Sequence, residues 1–240
     1  MPQTFRLGEA GIEMKYVAVV PYAYQPYFDE FYPTLHHDIV ENTLVVNDSE
    51  PAGAIGIMKA HNMGIDFMRE RGADWLVVMS AGIRFGPAGG LDFIELLKDH
   101  NDLHVINGAG KNLETGEVMA MGYHLTAFKR EVFDGIGRWD ENFTPYGFDD
   151  IDLMLRMKKY FNGALRSDTF PVDMEHVSRS HSISLAGVVA PSGPRIQYFT
   201  EKWGRHPGAW QWDGWANPFN DPNNSVKYWP DAPNGSKWND

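Results

Sequence analysis

A group of neighbouring carboxylates is the strongest candidate for chemistry in this sequence. Asp149, Asp150 and Asp152 fall within four positions, at the start of a run of apolar residues with helical spacing. Such carboxylates can take a proton from a hydroxyl group or bind sugar hydroxyls. A structural interpretation is also open, because Asp caps helix N-termini and its charge suits the helix dipole there. One cap needs only one carboxylate, however, and three neighbouring charges repel each other, which favours a role in chemistry.

Polar and aromatic residues also follow three predicted strands. Tyr22 follows the first strand, Asn47 and Asp48 follow the second, and Ser80 follows the third. Ligands of open α/β sheets bind at the carboxyl ends of the strands, so these side chains are candidates for ligand binding. Tyr22 suits stacking on a nucleobase and, equally, packing within its own loop. Asn47 and Asp48 also suit an Asx-turn that closes the loop.

Strands and helices alternate along the part of the chain that must position these residues. Short β-branched apolar runs predict buried strands, and apolar residues at helical spacing predict helices between them. This alternation predicts an α/β fold with an open, Rossmann-like, mostly parallel sheet and helices on both faces. The predicted strands span residues 16–20, 42–46, 75–79 and 103–106, the predicted helices span 52–71, 91–99, 130–136 and 151–161, and residues 117–129 are predicted to be extended outside this alternation.

The domain organisation follows from length and from a shift in composition. The chain has 240 residues, which suffices for one sizeable core. We predict a single domain over residues 1–191 and an irregular extension over 192–240 that packs on it. The extension holds six of the eight tryptophans, and this aromatic content argues against disorder. Packing of these rings and stacking on a sugar are both open as roles.

Composition excludes several classes of protein. The chain has no cysteine, which rules out disulfides, thiolate zinc sites and cysteine nucleophiles. A formal net charge of -11 argues against a broad nucleic-acid-binding surface, although it is compatible with a small basic site. No apolar run is long enough to span a membrane, and residues 1–15 lack the apolar run of a signal peptide. We therefore expect a cytoplasmic protein, with its oligomeric state open.

The acidic segment resembles a motif of GT-A fold glycosyltransferases, especially those like family 2. That motif reads Gly-Gly-Phe-Asp-Glu, a spacer, an aromatic residue with Gly, an acidic pair, and Asp-Leu before an Arg. The matching residues here are Gly137-Arg-Trp-Asp-Glu141, Tyr146-Gly147, Asp149-Asp150-Ile-Asp152-Leu153 and Arg156. Other similar segments are Val19-Val20-Pro21-Tyr22, Val45-Val46-Asn47-Asp48-Ser49, Asn62-Met63-Gly64-Ile65, 198–204 and 218–220, so the resemblance covers about residues 16–220.

The resemblance implies roles for individual residues. Asp150 would be the general base that deprotonates the acceptor, and Asp149 would hold donor or acceptor hydroxyls. Asp48 or Asn47 would bind the edge of uracil or of a similar base. The nucleotide-binding or donor-binding residues implied in this way are Pro21, Tyr22, Asn47, Asp48, Asn62, Ser80, Ala81, Gly82 and Lys202. The acceptor-binding residues implied are Gly122, Trp139, Asp152 and Trp203.

The chain departs from the family at the metal site. The family's Asp-x-Asp after the third strand holds a divalent ion on the donor diphosphate, but residues 80–82 read Ser-Ala-Gly. Hard cations prefer anionic oxygen ligands. Either Mn²⁺ or Mg²⁺ is held weakly by Ser80, the diphosphate, water and a histidine, with His176 at the family's position. Or cations and helix N-termini replace the metal, with Lys202, Arg195 and Arg84 as candidates.

Three further histidines are candidate zinc ligands. His36 and His37 are adjacent in the sequence, and we expect them to lack a partner at metal-ligand spacing. His181 is expected to be an ordinary loop histidine. The sequence therefore predicts no zinc site.

These patterns together predict an enzyme of the hexosyltransferase kind. It would move a sugar from a nucleotide-sugar donor, a UDP-sugar by preference, to a hydroxyl acceptor with inversion. The acceptor stays open between a glycan, a protein and a hydroxylated DNA base in a viral (phage) or bacterial modification pathway. A different class is also open: a non-catalytic sugar-nucleotide or glycan-binding protein of the same fold, which the missing Asp-x-Asp would favour.

Overall fold

The computed structural model describes residues 14–50, 53–112, 116–120, 122–144, 146–176, 192–203 and 206–207. Its strands are β1 (Tyr16–Tyr22), β2 (Thr43–Asn47), β3 (Trp75–Met79), β4 (Ile83–Phe85), β5 (Val105–Asn112), β6 (Val118–Ala120), β7 (Leu125–Lys129) and β8 (Ser167–His176). Its α-helices are α1 (Gln25–Phe31), α2 (His37–Glu41), α3 (Ile57–Arg71), α4 (Leu91–Asp99), α5 (Arg130–Ile136), α6 (Asp149–Phe161) and α7 (Ser192–Trp203). Short 3₁₀ turns span Tyr32–Thr34, Gly122–His124 and Glu141–Phe143.

All of the described strands belong to one mixed sheet. Their order is β2-β1-β3-β7-β5-β8-β4, and β6 pairs with β5 at the side. β1 is parallel to β2 and β3, and β5 is parallel to β8, whereas β7 is antiparallel to both β3 and β5. The predicted α/β fold is confirmed, but the sheet is less parallel than predicted. The connection from β5 to β7 contains β6 and a 3₁₀ turn instead of a crossover helix, so β7 returns in the opposite direction.

Helices cover both faces of this sheet, as the sequence predicts. Alternate residues of β1 point to opposite faces, so Val17 and Val19 enter one hydrophobic cluster while Ala18 and Val20 enter the other. The first cluster packs against α3, α5, α6 and α7, and the second packs against α1, α2 and α4. The two buried clusters hold the sheet from both sides, and the parallel strands β1, β2 and β3 end together at one edge of it.

Element boundaries agree with prediction where periodicity is strong. β3, α4 and α5 have the predicted bounds, and α6 begins two residues earlier than predicted, at Asp149. One prediction is corrected: the extension predicted to be irregular from residue 192 begins instead with helix α7, which buries Phe199 and Trp203 on the core. Residues 208–240 lie outside the described residues, so the tryptophan-rich part of the extension stays a prediction. Within the described chain, no helix combines the length and apolarity needed to cross a membrane.

Candidate active site

A cleft opens at the carboxyl ends of β1, β2 and β3. It encloses about 530 Å³ together with its open mouth. Four of the predicted donor-binding residues meet in it, although they are far apart in the sequence. The lining residues are Pro21, Tyr22, Ala23, Asp48, Gly53, Ile57, His61, Met79, Ser80 and Tyr123.

The Asp48 carboxylate, which is part of the cleft wall, binds the backbone just before α3. Its Oδ1 accepts the backbone N–H of Ile55 at 2.7 Å, and its Oδ2 accepts that of Gly56 at 3.0 Å. Gly56 directly precedes α3 at a φ of 80°, a conformation that favours glycine. Each carboxylate oxygen has a second lone pair, so Asp48 can also accept a hydrogen bond from a ligand.

Asn47 and Tyr22 favour the structural interpretations left open above. The Asn47 side-chain oxygen accepts the N–H and the hydroxyl of Ser49 at 2.9 Å and 2.6 Å, which is an Asx-turn. The Tyr22 ring stacks on Phe28 with centroids 4.2 Å apart, so one of its faces is covered. Burial raises the pKa of Tyr22, so its hydroxyl stays protonated and can donate to a ligand.

A strained turn presents the acidic pair. Gly147 and Phe148 lie at φ values of 104° and 67°, and this left-handed conformation costs a non-glycine residue about 1–2 kcal/mol. Asp149, the first residue of α6, accepts the N–H of Gly147 at 2.9 Å. Asp150 accepts the N–H of Ile151 at 2.8 Å and is exposed. Backbone contacts thus fix both carboxylates without consuming all of their lone pairs.

Tyr123 connects this pair to the cleft. Its ring lines the cleft, and its hydroxyl donates to the backbone carbonyl of Asp150 at 3.2 Å. Burial, and then the charge of Asp150, raises the pKa of Tyr123 well above its usual value, so the hydroxyl remains a donor. Asp149 and Asp150 do not line the cleft themselves, and Tyr123 joins the Asp150 backbone to it.

The electrostatics of the pair favour proton transfer near neutral pH. Burial, followed by the charge of Asp150, raises the pKa of Asp149 to about 6. Burial of part of the Asp150 carboxyl also raises its pKa, although the residue as a whole is exposed. Carboxylates with raised pKa values are common among general bases, because a base works best when its pKa lies near the working pH.

The predicted donor-binding role of Lys202 and the acceptor-binding roles of Asp152 and Trp203 need correction. The Lys202 ammonium lies 2.7 Å from Asp140 Oδ2 and 2.8 Å from Asp152 Oδ1, and the side chains of Lys202 and Asp152 are 0% exposed. Trp203 donates its indole N–H to the same Asp152 oxygen at 2.9 Å. Together with Arg156, which pairs with Asp152 at 2.8 Å, these side chains form a buried network beneath the acidic pair, in which two cations balance two carboxylates.

Asn62 and Trp139 are also structural. The Asn62 amide accepts the backbone N–H of Trp139 at 2.9 Å and donates to its carbonyl at 3.0 Å. The Trp139 ring is fully buried in the core. This reciprocal pair ties α3 to the segment before α6, so the predicted donor contact of Asn62 and acceptor contact of Trp139 are corrected. Gly122 begins the 3₁₀ turn before β7, and its acceptor-binding role stays a prediction.

Three residues were missed by sequence reasoning. Asp140 accepts the Tyr198 hydroxyl at 2.6 Å as well as the Lys202 ammonium. Burial alone would raise the pKa of Asp140, but the charge of Lys202 and these hydrogen bonds hold it below its usual value. His61 and Tyr123 line the cleft. Asp140 lies in the quoted motif without an assigned role, whereas His61 and Tyr123 sit in apolar patterns that give no signal of a ligand.

The residues described around Ser80 do not fit a hard divalent cation. Ser80 Oγ accepts the N–H of Gly82 at 3.1 Å, while Ala81 and Gly82 are buried. His176 ends β8 and packs edge-on against His124, with ring centroids 4.5 Å apart. A hydroxyl and imidazoles without a carboxylate are a poor ligand set for Mg²⁺ or Mn²⁺.

Other charged candidates lie elsewhere. Among the described residues, one cluster offers three metal-ligand atoms within 4.8 Å of one another, namely His36, His37 and Asp38. The expectation that these histidines lack a neighbouring ligand is therefore wrong, although none of the three lines the cleft. Arg84 pairs with Glu30 at 2.7 Å. Arg195 is buried, with its guanidinium 5.3 Å from the centre of the Tyr146 ring.

Comparisons with known proteins are informative at the level of the fold. No family model and no curated protein matches the chain. Among solved structures, residues 1–349 of S. aureus TarS in complex with UDP-GlcNAc align with a TM-score of 0.51 and 13% identity, over 75% of this chain and 63% of that one. A197 from STIV aligns with a TM-score of 0.43 and 14% identity, over 66% and 82%. The chain thus spans under two thirds of the TarS fragment, and its α/β fold is similar to the fold of that fragment.

Proposed function

We propose that this protein is a glycosyltransferase that moves a sugar from a UDP-sugar to a hydroxyl acceptor with inversion. The observation that carries the proposal is the pair Asp149 and Asp150, which has raised pKa values and is joined through Tyr123 to the cleft at the carboxyl ends of the strands. The motif resemblance supports it. So does the binding of UDP-GlcNAc by the TarS fragment, which has a similar fold.

In this proposal the donor lies across the carboxyl ends of the strands. The nucleoside contacts Pro21, Tyr22 and Asp48, and the diphosphate points toward Ser80, which also lines the cleft. The sugar's anomeric carbon then faces the start of α6. Tyr123 connects the cleft to the start of α6, since its ring lines the cleft and its hydroxyl donates to the Asp150 carbonyl.

Asp150 acts as the general base in the proposed reaction. It takes the proton of the acceptor hydroxyl while that oxygen bonds to the anomeric carbon. The bond from that carbon to the diphosphate breaks on the opposite face, and the transition state resembles an oxocarbenium ion. Asp150 suits this role better than Asp149, because Asp150 is exposed whereas Asp149 is only partly exposed. Asp149 binds sugar hydroxyls. No step relies on a metal.

The substitution Asp150→Asn tests the base. We expect turnover to fall by about 10²–10⁴-fold, because a positioned general base contributes roughly that factor. Circular dichroism and thermal unfolding should remain close to those of the parent. Asp99→Asn removes an exposed carboxylate at the end of α4 and is the matched control. Near-full activity of Asp150→Asn would remove Asp150 from the mechanism, and loss of the fold would assign it a capping role instead.

A non-catalytic binding protein of the same fold is the second candidate. The absence of a carboxylate at residues 80–82 is the observation that favours it. Donor hydrolysis and transfer, measured with Mn²⁺, with Mg²⁺ and with EDTA, separate the two functions. Binding of UDP-sugars without turnover under all three conditions would support the binding protein. Turnover that EDTA abolishes would show metal dependence.

A further inference from the structure

His61 is a buried histidine of the cleft with an unsatisfied ring nitrogen. The residue is only 2% exposed, yet it is part of the cleft lining. Among the residues that the structure describes, its Nδ1 atom has no hydrogen-bond partner. Buried polar atoms almost always have a partner, so a water or a ligand is expected to supply one here.

The His61 ring packs against Trp139. The two rings are tilted, with centroids 4.8 Å apart, and the Trp139 backbone is itself held by Asn62, the residue after His61. Ile57 and His61 lie one helical turn apart on the same face of α3, and both line the cleft. Asp48 binds the N–H of the residue just before Ile57. Asp48 therefore contacts the start of α3, His61 lies in the first turns of the same helix, and both line the cleft.

The charge state of His61 indicates what kind of group it can bind. Burial lowers its pKa to about 3, so the imidazole is neutral at any working pH. A neutral imidazole donates one hydrogen bond and accepts another, but it offers no charge to a diphosphate. The Asp48 carboxylate, which lines the same cleft, only accepts hydrogen bonds. A neutral ligand whose edge carries a hydrogen-bond donor next to an acceptor would match Asp48 and His61.

We propose that His61 determines the base specificity of the donor. Its imidazole donates to a carbonyl oxygen of the base, while Asp48 accepts the adjacent ring N–H. Uracil and guanine present a ring N–H beside a carbonyl, whereas cytosine presents an unprotonated ring nitrogen beside an amino group. This proposal rests on the nucleotide-sugar donor proposed above, and it makes the site selective for UDP over CDP.

Calorimetric titration of UDP and CDP into His61 variants tests this specificity. The parent should bind UDP more tightly than CDP. We expect His61→Leu to weaken UDP binding about tenfold and to leave CDP binding almost unchanged, because only uracil loses a hydrogen bond. His61→Asn keeps an amide near the Nδ1 position and should recover part of the UDP affinity. His37→Leu is the control, because that side chain is 73% exposed and outside the cleft.

Each outcome distinguishes this inference from the proposed function. If the parent binds UDP but His61→Leu binds both nucleotides as the parent does, or loses both equally, the inference fails and the glycosyltransferase proposal stands. If the parent binds neither nucleotide nor UDP-sugars, both fail. The ¹⁵N resonances of histidine side chains in the parent give a test that needs no variant. UDP should shift those of His61, and an unchanged His61 would overturn the inference even if the variants do not fold.

Discussion

Asp149 is held in an environment that disfavours its charged form. Burial and the adjacent Asp150 raise its pKa to about 6, from an ordinary value of 3.8. A group whose pKa is higher in the folded state binds its proton more tightly there than in the unfolded chain. Its contribution to the free energy of unfolding therefore falls as pH rises from about 4 to above 6. The fold tolerates this cost at the position where the proposed chemistry needs carboxylates.

Asp149→Asn should consequently stabilise the protein at high pH. The amide oxygen of Asn can still accept the Gly147 N–H, but it carries no charge. We expect the free energy of unfolding at pH 8 to increase by on the order of 1–3 kcal/mol relative to the parent. The gain should shrink as pH falls through 6 and vanish below about pH 4. Urea denaturation across this range measures it, with Asp99→Asn as the control, and a pH-independent difference would refute the titration of Asp149.

Position in the sequence predicted some site residues and could not predict others. Tyr22, Asp48 and Ser80 follow strand ends, and parallel strands bring such ends together, so their meeting in one cleft was predictable. The pairing of Lys202 with Asp140 joins residues 62 positions apart. Nothing in the local pattern distinguishes a lysine buried against two carboxylates from one aimed at a diphosphate, so the predicted role of Lys202 rests only on its position beside the motifs.

At the scale of elements, α7 is joined to the base of α6 through buried charges. Lys202 on α7 contacts Asp152 in the first turn of α6 and Asp140 in the preceding loop. Arg156, one turn along α6, pairs with Asp152 at 2.8 Å and donates to the carbonyl of Arg138 at 2.6 Å. The network therefore fixes the turn that presents the acidic pair. Its charges are balanced only while every member is present.

Lys202→Met should destabilise the fold strongly. It leaves the buried Asp140 carboxylate without its cation, and removal of one partner of a buried ion pair typically costs about 3–5 kcal/mol. Urea denaturation at pH 7 measures this loss. The Lys202 charge holds the pKa of Asp140 below its ordinary value, so this interaction stabilises the fold at pH values above the ordinary pKa of Asp. The difference in free energy of unfolding between Lys202→Met and the parent should therefore narrow as pH falls toward 3.

The matched control for this substitution is Lys59→Met on the exposed face of α3. Surface substitutions away from specific contacts usually change stability by less than about 0.5 kcal/mol. A loss for Lys202→Met of similarly small size would mean that the ammonium is not needed to balance the two carboxylates. The ion pairs between α7 and α6 would then contribute little to the free energy of unfolding.

The helices and strands are predicted best where their apolar residues form a continuous run or a clear helical periodicity. The continuous apolar run of β3 and the amphipathic α4 appear with the predicted bounds. β7 runs antiparallel because its direction depends on how the chain returns from β5, which periodicity does not encode. Helix α7 was missed because Gly193 and Pro194 near its start resemble a loop, whereas Pro is well tolerated in the first turn of a helix.

At the scale of the whole molecule, charge bears on the identity of the acceptor. The chain carries 32 acidic and 21 basic residues. Several of the basic side chains, Lys202, Arg156 and Arg84 among them, are committed to ion pairs with carboxylates. Binding to DNA depends on many Lys and Arg contacts to phosphates. Under the proposed function, a glycan or a protein is therefore the acceptor class that the overall charge favours over a hydroxylated DNA base.

Fluorescence anisotropy with a labelled 20-base-pair duplex tests this preference. Basic proteins bind DNA non-specifically with a Kd of about 10⁻⁴–10⁻⁶ M at physiological salt. With a net charge of -11, we expect no saturation at protein concentrations up to about 10 µM in 150 mM salt, and little gain at 50 mM salt. Thermal stabilisation by UDP in the same preparation would show that the protein is folded and competent. Saturable binding that weakens steeply with added salt would instead reveal a basic groove and make a hydroxylated DNA base the preferred acceptor.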